Sequence, residues 1–297
     1  MKRLKSAIGI AAGILCVFPV AAMGQQKPAD AKAVPIPQVR TLMLDVVEHQ
    51  KQLEKVRENY TYHSFFTDQE IDSNGQVKKT ETEDRDVFFV NGHRIERTVK
   101  KDGKTLNDHD QKKEQERVNK LVEKAVKTPA GQPLDGQQTI SVPKLLDIMD
   151  VSNPRRETYR GRSTIVFDFA GKHDVKTHGL AEDASKKLAG TLWVDEKDRQ
   201  VAHMEARFTD NFHVGGGLLA NVQKGSSFYF DQAPVNGEIW FPTGAEGRVD
   251  ARVFLLKGIR EHFVERDSEY QRFTVDAETG KTATAVPDAK GENAPKK

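Results

Sequence analysis

The chain has 297 residues, with 46 Lys and Arg against 44 Asp and Glu, and one cysteine. So even a charge balance leaves no net basic surface of the kind nucleic acid requires, and a single thiol excludes an intramolecular disulfide or a zinc site built from cysteines. At 37% hydrophobic and 30% charged the chain is polar but globular, and one all-β domain of about 240 residues accounts for most of it.

Both ends read as separate from that domain. Lys2, Arg3 and Lys5 precede an apolar run over residues 7–17, Pro19 interrupts it, and Ala22 and Gly24 supply small residues. This is the pattern of a secretory signal peptide over residues 1–24, cleaved after Gly24, and the run is too short to span a membrane. Cys16 lies inside it behind bulky Ile14 and Leu15, so lipid attachment there is not expected and the mature chain has no thiol. Residues 25–37, rich in Pro, Ala, Lys and Gln, form a flexible leader, and residues 277–297 form a disordered tail.

From residue 38 to 59 the period is helical. Val39, Leu42, Met43, Val46, Leu53 and Val56 recur at spacings that place them on one stripe, which predicts an amphipathic helix laid on a sheet. A strand meander follows. Residues 60–71 are β-prone, Asp72 to Gly75 form a turn, residues 77–90 form a long strand, and Asn91-Gly92 turns the chain into residues 93–100. Residues 78–86 are almost wholly polar, which predicts an exposed edge or a strand running beyond the core.

Asn107 can cap a helix over residues 107–127. Its first half is polar and is expected in solvent, whereas Val118, Leu121, Val122, Ala125 and Val126 form a docking stripe. A Pro- and Gly-rich link over 128–138 leads to a short helix carrying Leu145, Leu146, Ile148 and Met149. The second run of strands opens near Arg156, and Ile165, Phe167 and Phe169 share one face of a strand. The clearest period of two is the hairpin over residues 190–208. Leu192, Val194, Ala202, Met204, Ala206 and Phe208 form its apolar face, and Val201, His203, Glu205 and Arg207 its charged face. Further strands follow through residue 275.

No motif assembles an active site. Ser141 and Lys144 have the spacing of a serine nucleophile and its lysine, but Ser141 also suits the N-cap of the short helix and no partner motif accompanies it. The nine histidines lack ligand spacing and read as surface residues. Gly215 to Gly217 are not followed by the lysine of a phosphate loop, and Asp195, Glu196 and Asp198 are good turn formers. Neither an enzyme nor a cofactor or metal is expected.

The fold class expected is mainly β (α+β): a curled antiparallel half-barrel sheet of about ten strands, enclosing or covered by a few helices, in a single domain over residues 38–276. Helices that do not fill such a curl leave a ligand cavity. Three segments carry a resemblance to a known family: residues 87–106 (VFFVNGHRIERTVKKDGKTL), 190–195 (GTLWVD) and 237–242 (GEIWFP), after a meander opening on Tyr60-Thr61-Tyr62. With these the chain resembles the LolA/LolB/RseB-like half-barrel superfamily, outer-membrane lipoprotein-sorting-like proteins among them. Helix 107–127 is an insertion relative to the compact carriers. The resemblance implies a periplasmic, non-enzymatic carrier whose concave apolar face binds lipid or the acyl chains of a lipoprotein, with peripheral membrane contact. The other branch implies an envelope protein-interaction or sensor module, whose protein partner would meet helix 107–127. Apolar strand positions that would line a binding face are Phe66, Ile165, Phe167, Phe169, Leu192, Val194, Met204, Phe208 and Trp240, although each reads more readily as ordinary core than as a ligand contact.

Overall fold

The computed structural model describes residues 35–130, 132, 134, 142–214, 216, 219–253 and 257–273. The expectations for the signal peptide, most of the leader, Ser141, most of the link and the tail lie outside the described residues. Among the described residues there are four helices, α1 (Val39–Arg57), α2 (Asp108–Lys127), α3 (Val142–Ile148) and α4 (Leu180–Ser185). The first six strands are β1 (Tyr60–Ile71), β2 (Val77–Val90), β3 (His93–Lys101), β4 (Lys104–Thr105), β5 (Met149–Tyr159) and β6 (Arg162–Gly171). Seven more follow: β7 (Leu188–Asp195), β8 (Val201–Phe208), β9 (Phe212–Val214), β10 (Ala220–Val222), β11 (Ser227–Val235), β12 (Ile239–Val253) and β13 (Lys257–Arg272).

All thirteen strands belong to one curled, unclosed sheet, ordered β4-β3-β2-β1-β13-β12-β11-β8-β7-β6-β5, with β9 and β10 attached beside β12. Every neighbouring pair is antiparallel. The count exceeds ten because β4, β9 and β10 are only two or three residues long. The half-barrel α+β class expected from the sequence is the one observed.

Curling follows from where α1 lies. Its 19 residues make a rod about 28 Å long, and its apolar stripe meets two separate parts of one sheet face. Leu42, Met43 and Val46 pack with Ile165 and Phe167 of β6 and with Leu192 and Val194 of β7. Leu53 and Val56 pack with Tyr60, Tyr62, Val87, Ile239 and Phe241. The face under α1 is the inner face.

The two sheet edges are blunted by different means. Along β3, α2 supplies side-chain partners to the open backbone: Glu114 accepts from the Thr98 amide at 2.7 Å, and Arg117 donates to the Glu96 carbonyl at 2.6 Å. The first half of α2 is thus anchored to the edge, not simply projected into solvent as its polarity suggested. Its second half docks as expected, with Val118 and Ala125 on Ile95. Residues 77–81 of β2 pair with β1 alone, since Asp102 engages both backbone groups of Thr82 and β3 joins from Glu83 onward, and this is the exposed edge their polarity predicted. At the other end, β5 is broken by a register shift between Ser152 and Arg155, which contains Pro154.

The outer face is not uniformly wet. His203 is buried, against the expectation of a surface histidine. Tyr159 stacks on it at 5.0 Å and Trp193 meets it at 4.8 Å, while its Nδ1 faces Asp231 at 2.7 Å and its Nε2 faces Glu205 at 3.1 Å. Burial alone would lower the His203 pKa, but the two carboxylates outweigh it and raise it. The signal was concealed because Tyr159 reaches His203 from β5, 44 residues earlier in the chain.

Candidate functional site

The inner face hollows where β5 to β8 and β11 run side by side. Two cross-strand rows form its floor. One row runs Phe167, Leu192, Met204, Phe230, and the next runs Val151, Phe169, Gly190, Ala206, Phe228. Large side chains fill the first row, whereas Gly190 and Ala206 interrupt the second and leave depth between Phe169 and Phe228. Met43 of α1 and Leu145 and Leu146 of α3 roof the hollow, and Met149, Leu188 and Val201 close its sides. The hollow, partly open to solvent, is a cavity of ≈ 380 Å³, within the range of small-molecule sites.

Val201 reaches this face because one extra residue, Ala202, is inserted opposite the Trp193 to Val194 step. Strict alternation had placed Val201 with the charged residues. Of the residues lining the cavity only Ser185 and Gln232 are polar, and none is charged. The Ser185 hydroxyl donates to the Ala181 carbonyl at 2.8 Å.

Gly190 is required by close packing. A Cβ there would stand 1.9 Å from the Glu205 carbonyl oxygen and 2.7 Å from the Phe169 ring, so β8 and the cavity floor would both have to move. Gly190→Ala is expected to destabilise by about 3 kcal/mol, as overpacking does. Gly258→Ala, which meets nothing within 4 Å, serves as control. Urea midpoints for the two variants test this, and equal midpoints would show that the floor is looser than it stands here.

The expected binding residues fall into three groups. Phe167, Phe169, Leu192 and Met204 line the cavity. Ile165 and Val194 share their face but are fully buried beside α1, where no ligand reaches them. The remaining three lie elsewhere. Phe208 stacks on Phe212 at 6.1 Å. Phe66 lies three strands from Phe230 on the same face, stacked on Phe263 and covered by the Arg85 guanidinium at 4.3 Å. The Trp240 indole donates to Asp198 at 3.1 Å under Arg162. Phe228, Phe230 and Gln232 were not proposed from the sequence, although their spacing of two was visible there.

A polar cluster occupies the inner face on β1, β3 and β13. Arg94 donates to Tyr62 Oη at 2.8 Å, to Glu265 at 2.6 Å and to Glu96. Burial opposes its charge, but Tyr62, Glu96 and Glu265 outweigh that and hold its pKa raised. The Ser64 hydroxyl donates to Glu265 at 3.1 Å. Asp267 is 8% exposed and neither carboxyl oxygen has a hydrogen-bond partner; Thr243 Oγ1 is likewise buried without one. Burial first, and then the charge of Glu265, push the Asp267 carboxyl up to about 7.

Among the described residues no group of His, Cys, Asp and Glu could hold a metal ion, and no helix is long and apolar enough to cross a membrane. Lys144 lies 3.6 Å from Glu182 in an ion pair.

No protein-family model matches the chain, and no curated protein is similar to it in sequence. Solved structures similar to it include a LolA superfamily protein from Nitrosomonas europaea, 12% identical, covering 81% of this chain and 97% of its own, with a TM-score of 0.32. A DUF1329 family protein from Desulfovibrio piger is 12% identical over 82% of this chain and 95% of its own, with a TM-score of 0.32. The Pseudomonas aeruginosa MucA/MucB complex matches at 11% identity over 75% of this chain and 94% of that one, with a TM-score of 0.22. The first belongs to the superfamily that the sequence resembles. At such identities and TM-scores none of these likenesses assigns an activity, and the half-barrel is read from the chain's own strand pairing.

Proposed function

We propose that this protein is a non-enzymatic carrier of the periplasm that holds an acyl chain of a lipid or lipoprotein in the cavity beneath α1 and α3. The observation that supports this reading is the uncharged, almost wholly apolar lining of a ≈ 380 Å³ space between a sheet face and two helices. Each methylene buried there contributes about 0.8 kcal/mol, so a chain of ten or so offsets the entropy lost on binding. Transfer occurs by release to a partner that buries the chain better.

Native mass spectrometry of protein recovered from a bacterial periplasm, followed by solvent extraction, tests the reading. A released species of lipid mass is the expected result. Met204→Glu sets a carboxylate against the lining and is expected to weaken acyl binding at least tenfold, because an unpaired charge is costly in an apolar site. Leu145→Trp fills the hollow from the roof and is expected to do the same without placing a charge there. Unchanged binding in both, with circular dichroism intact, would overturn the assignment of the cavity.

A second reading, an envelope protein-interaction module, draws on α2, whose residues from Asp108 to Lys113 are all exposed. Charge reversal at Lys112 and Lys113 would then abolish capture of a protein partner and leave acyl binding untouched.

A further inference from the structure

Gln232 is the one cavity-lining residue whose polar group is left over. Ser185 spends its hydroxyl proton on Ala181, and every other lining residue is apolar. The Gln232 carboxamide makes no hydrogen bond to another described residue; the side chain is partly exposed, so solvent reaches it, and it stands two residues beyond Phe230 on β11. Its carboxamide offers two N–H donors and a carbonyl acceptor. Apolar pockets commonly owe their specificity to one or two such groups.

From this we infer that the ligand carries an uncharged hydrogen-bonding group, an ester or amide carbonyl at the head of an acyl chain, and that Gln232 is the residue that selects it. The inference rests on the carrier reading and narrows it. An ester or amide oxygen accepts from the Gln232 Nε2–H in place of the water that an entering chain displaces. An ionised fatty acid fits less well. Its carboxylate could accept the same bond, but no lysine or arginine lines the cavity to offset the loss of hydration. A plain hydrocarbon fits the walls but gives the carboxamide nothing in place of the water it displaces. The order of preference is therefore ester or amide, then hydrocarbon, with the carboxylate anion last.

The test uses the mature protein preloaded with a hydrophobic fluorescent dye, displaced at pH 8 by methyl laurate, dodecane or laurate. Methyl laurate is expected to displace dye at about five-fold lower concentration than dodecane, the effect of one neutral hydrogen bond, and laurate to be the weakest of the three. In Gln232→Leu the advantage of the ester over dodecane should fall to about one, with dodecane itself bound as well as before or better. Gln232→Asn, which keeps the carboxamide, should retain part of the ester advantage, and this separates hydrogen bonding from a change in packing. Equal displacement by ester and dodecane in the wild type, or an ester advantage surviving in Gln232→Leu, would overturn the role of Gln232 while leaving the carrier reading in place. Failure of all three to displace dye would overturn both.

Discussion

Replacing Phe241 with alanine is expected to destabilise the fold by about 3–5 kcal/mol, the range for removing a large aromatic from a closed core. Phe241 is fully buried. Its ring lies 5.1 Å from Tyr60, 5.7 Å from Tyr62, 5.9 Å from Phe89 and 5.5 Å from Tyr270, so one side chain ties β12 to β1, β2 and β13. Ring pairs at these separations contribute beyond their buried area, and four neighbours held by strand pairing cannot collapse fully into the space left. Equilibrium urea unfolding measures the loss. None of this cluster lines the cavity, so the folded fraction of Phe241→Ala should keep its acyl affinity. A loss below about 1 kcal/mol would show that the aromatic cluster is not closed.

Asp267→Asn is expected to do the reverse, increasingly so as pH rises from about 4 to about 7. The carboxyl has an ordinary value of 3.8 and is raised to about 7 in the folded chain by burial and by Glu265. A raised carboxyl binds its proton more tightly in the folded state than in the unfolded one. The stability this confers is therefore full below about pH 4 and is lost as pH rises through about 7. A shift of roughly three units corresponds to about 4 kcal/mol as an order of magnitude. Charged and titratable groups around it are Glu265, Arg94, Tyr62 and Tyr270, and Arg94 is already engaged by Glu265, Glu96 and Tyr62. Asparagine carries no charge at any pH. Variant and wild type should be near equal at pH 4 and diverge by up to that amount at pH 8, with the variant more stable. Carboxylates lowered in the fold, such as Glu83 and Asp231, respond to pH in the opposite sense but are common to both proteins and cancel in the difference. A constant gap from pH 4 to pH 8 would show that Asp267 is not buried as an acid.

Much of this architecture is legible in one dimension. Alternation in β6, β7 and β8 assigns Ile165, Phe167, Phe169, Leu192, Val194 and Met204 to one face, and pairing puts them on one face of the sheet. The helical stripe from Val39 to Val56 determines that α1 must lie against a sheet. Those two periodicities follow from backbone geometry and from the need to bury apolar side chains, both of which are local properties.

What each of those side chains does was decided by contacts far apart in sequence. Ile165 and Val194 became core because α1 lands on them, more than a hundred residues from its own place in the chain. Phe169 and Met204, of the same chemistry and the same face, border a cavity because α3 roofs that part of the sheet without filling it. Gly190 carries no apolar signal, yet together with Ala206 it sets the depth of the hollow. Trp240, Tyr159 with His203, and Asp267 are placed by neighbours that no period announces. Alternation specifies a face, whereas filling that face, leaving it hollow or burying a charge on it depends on where distant helices and strands are held when the sheet curls.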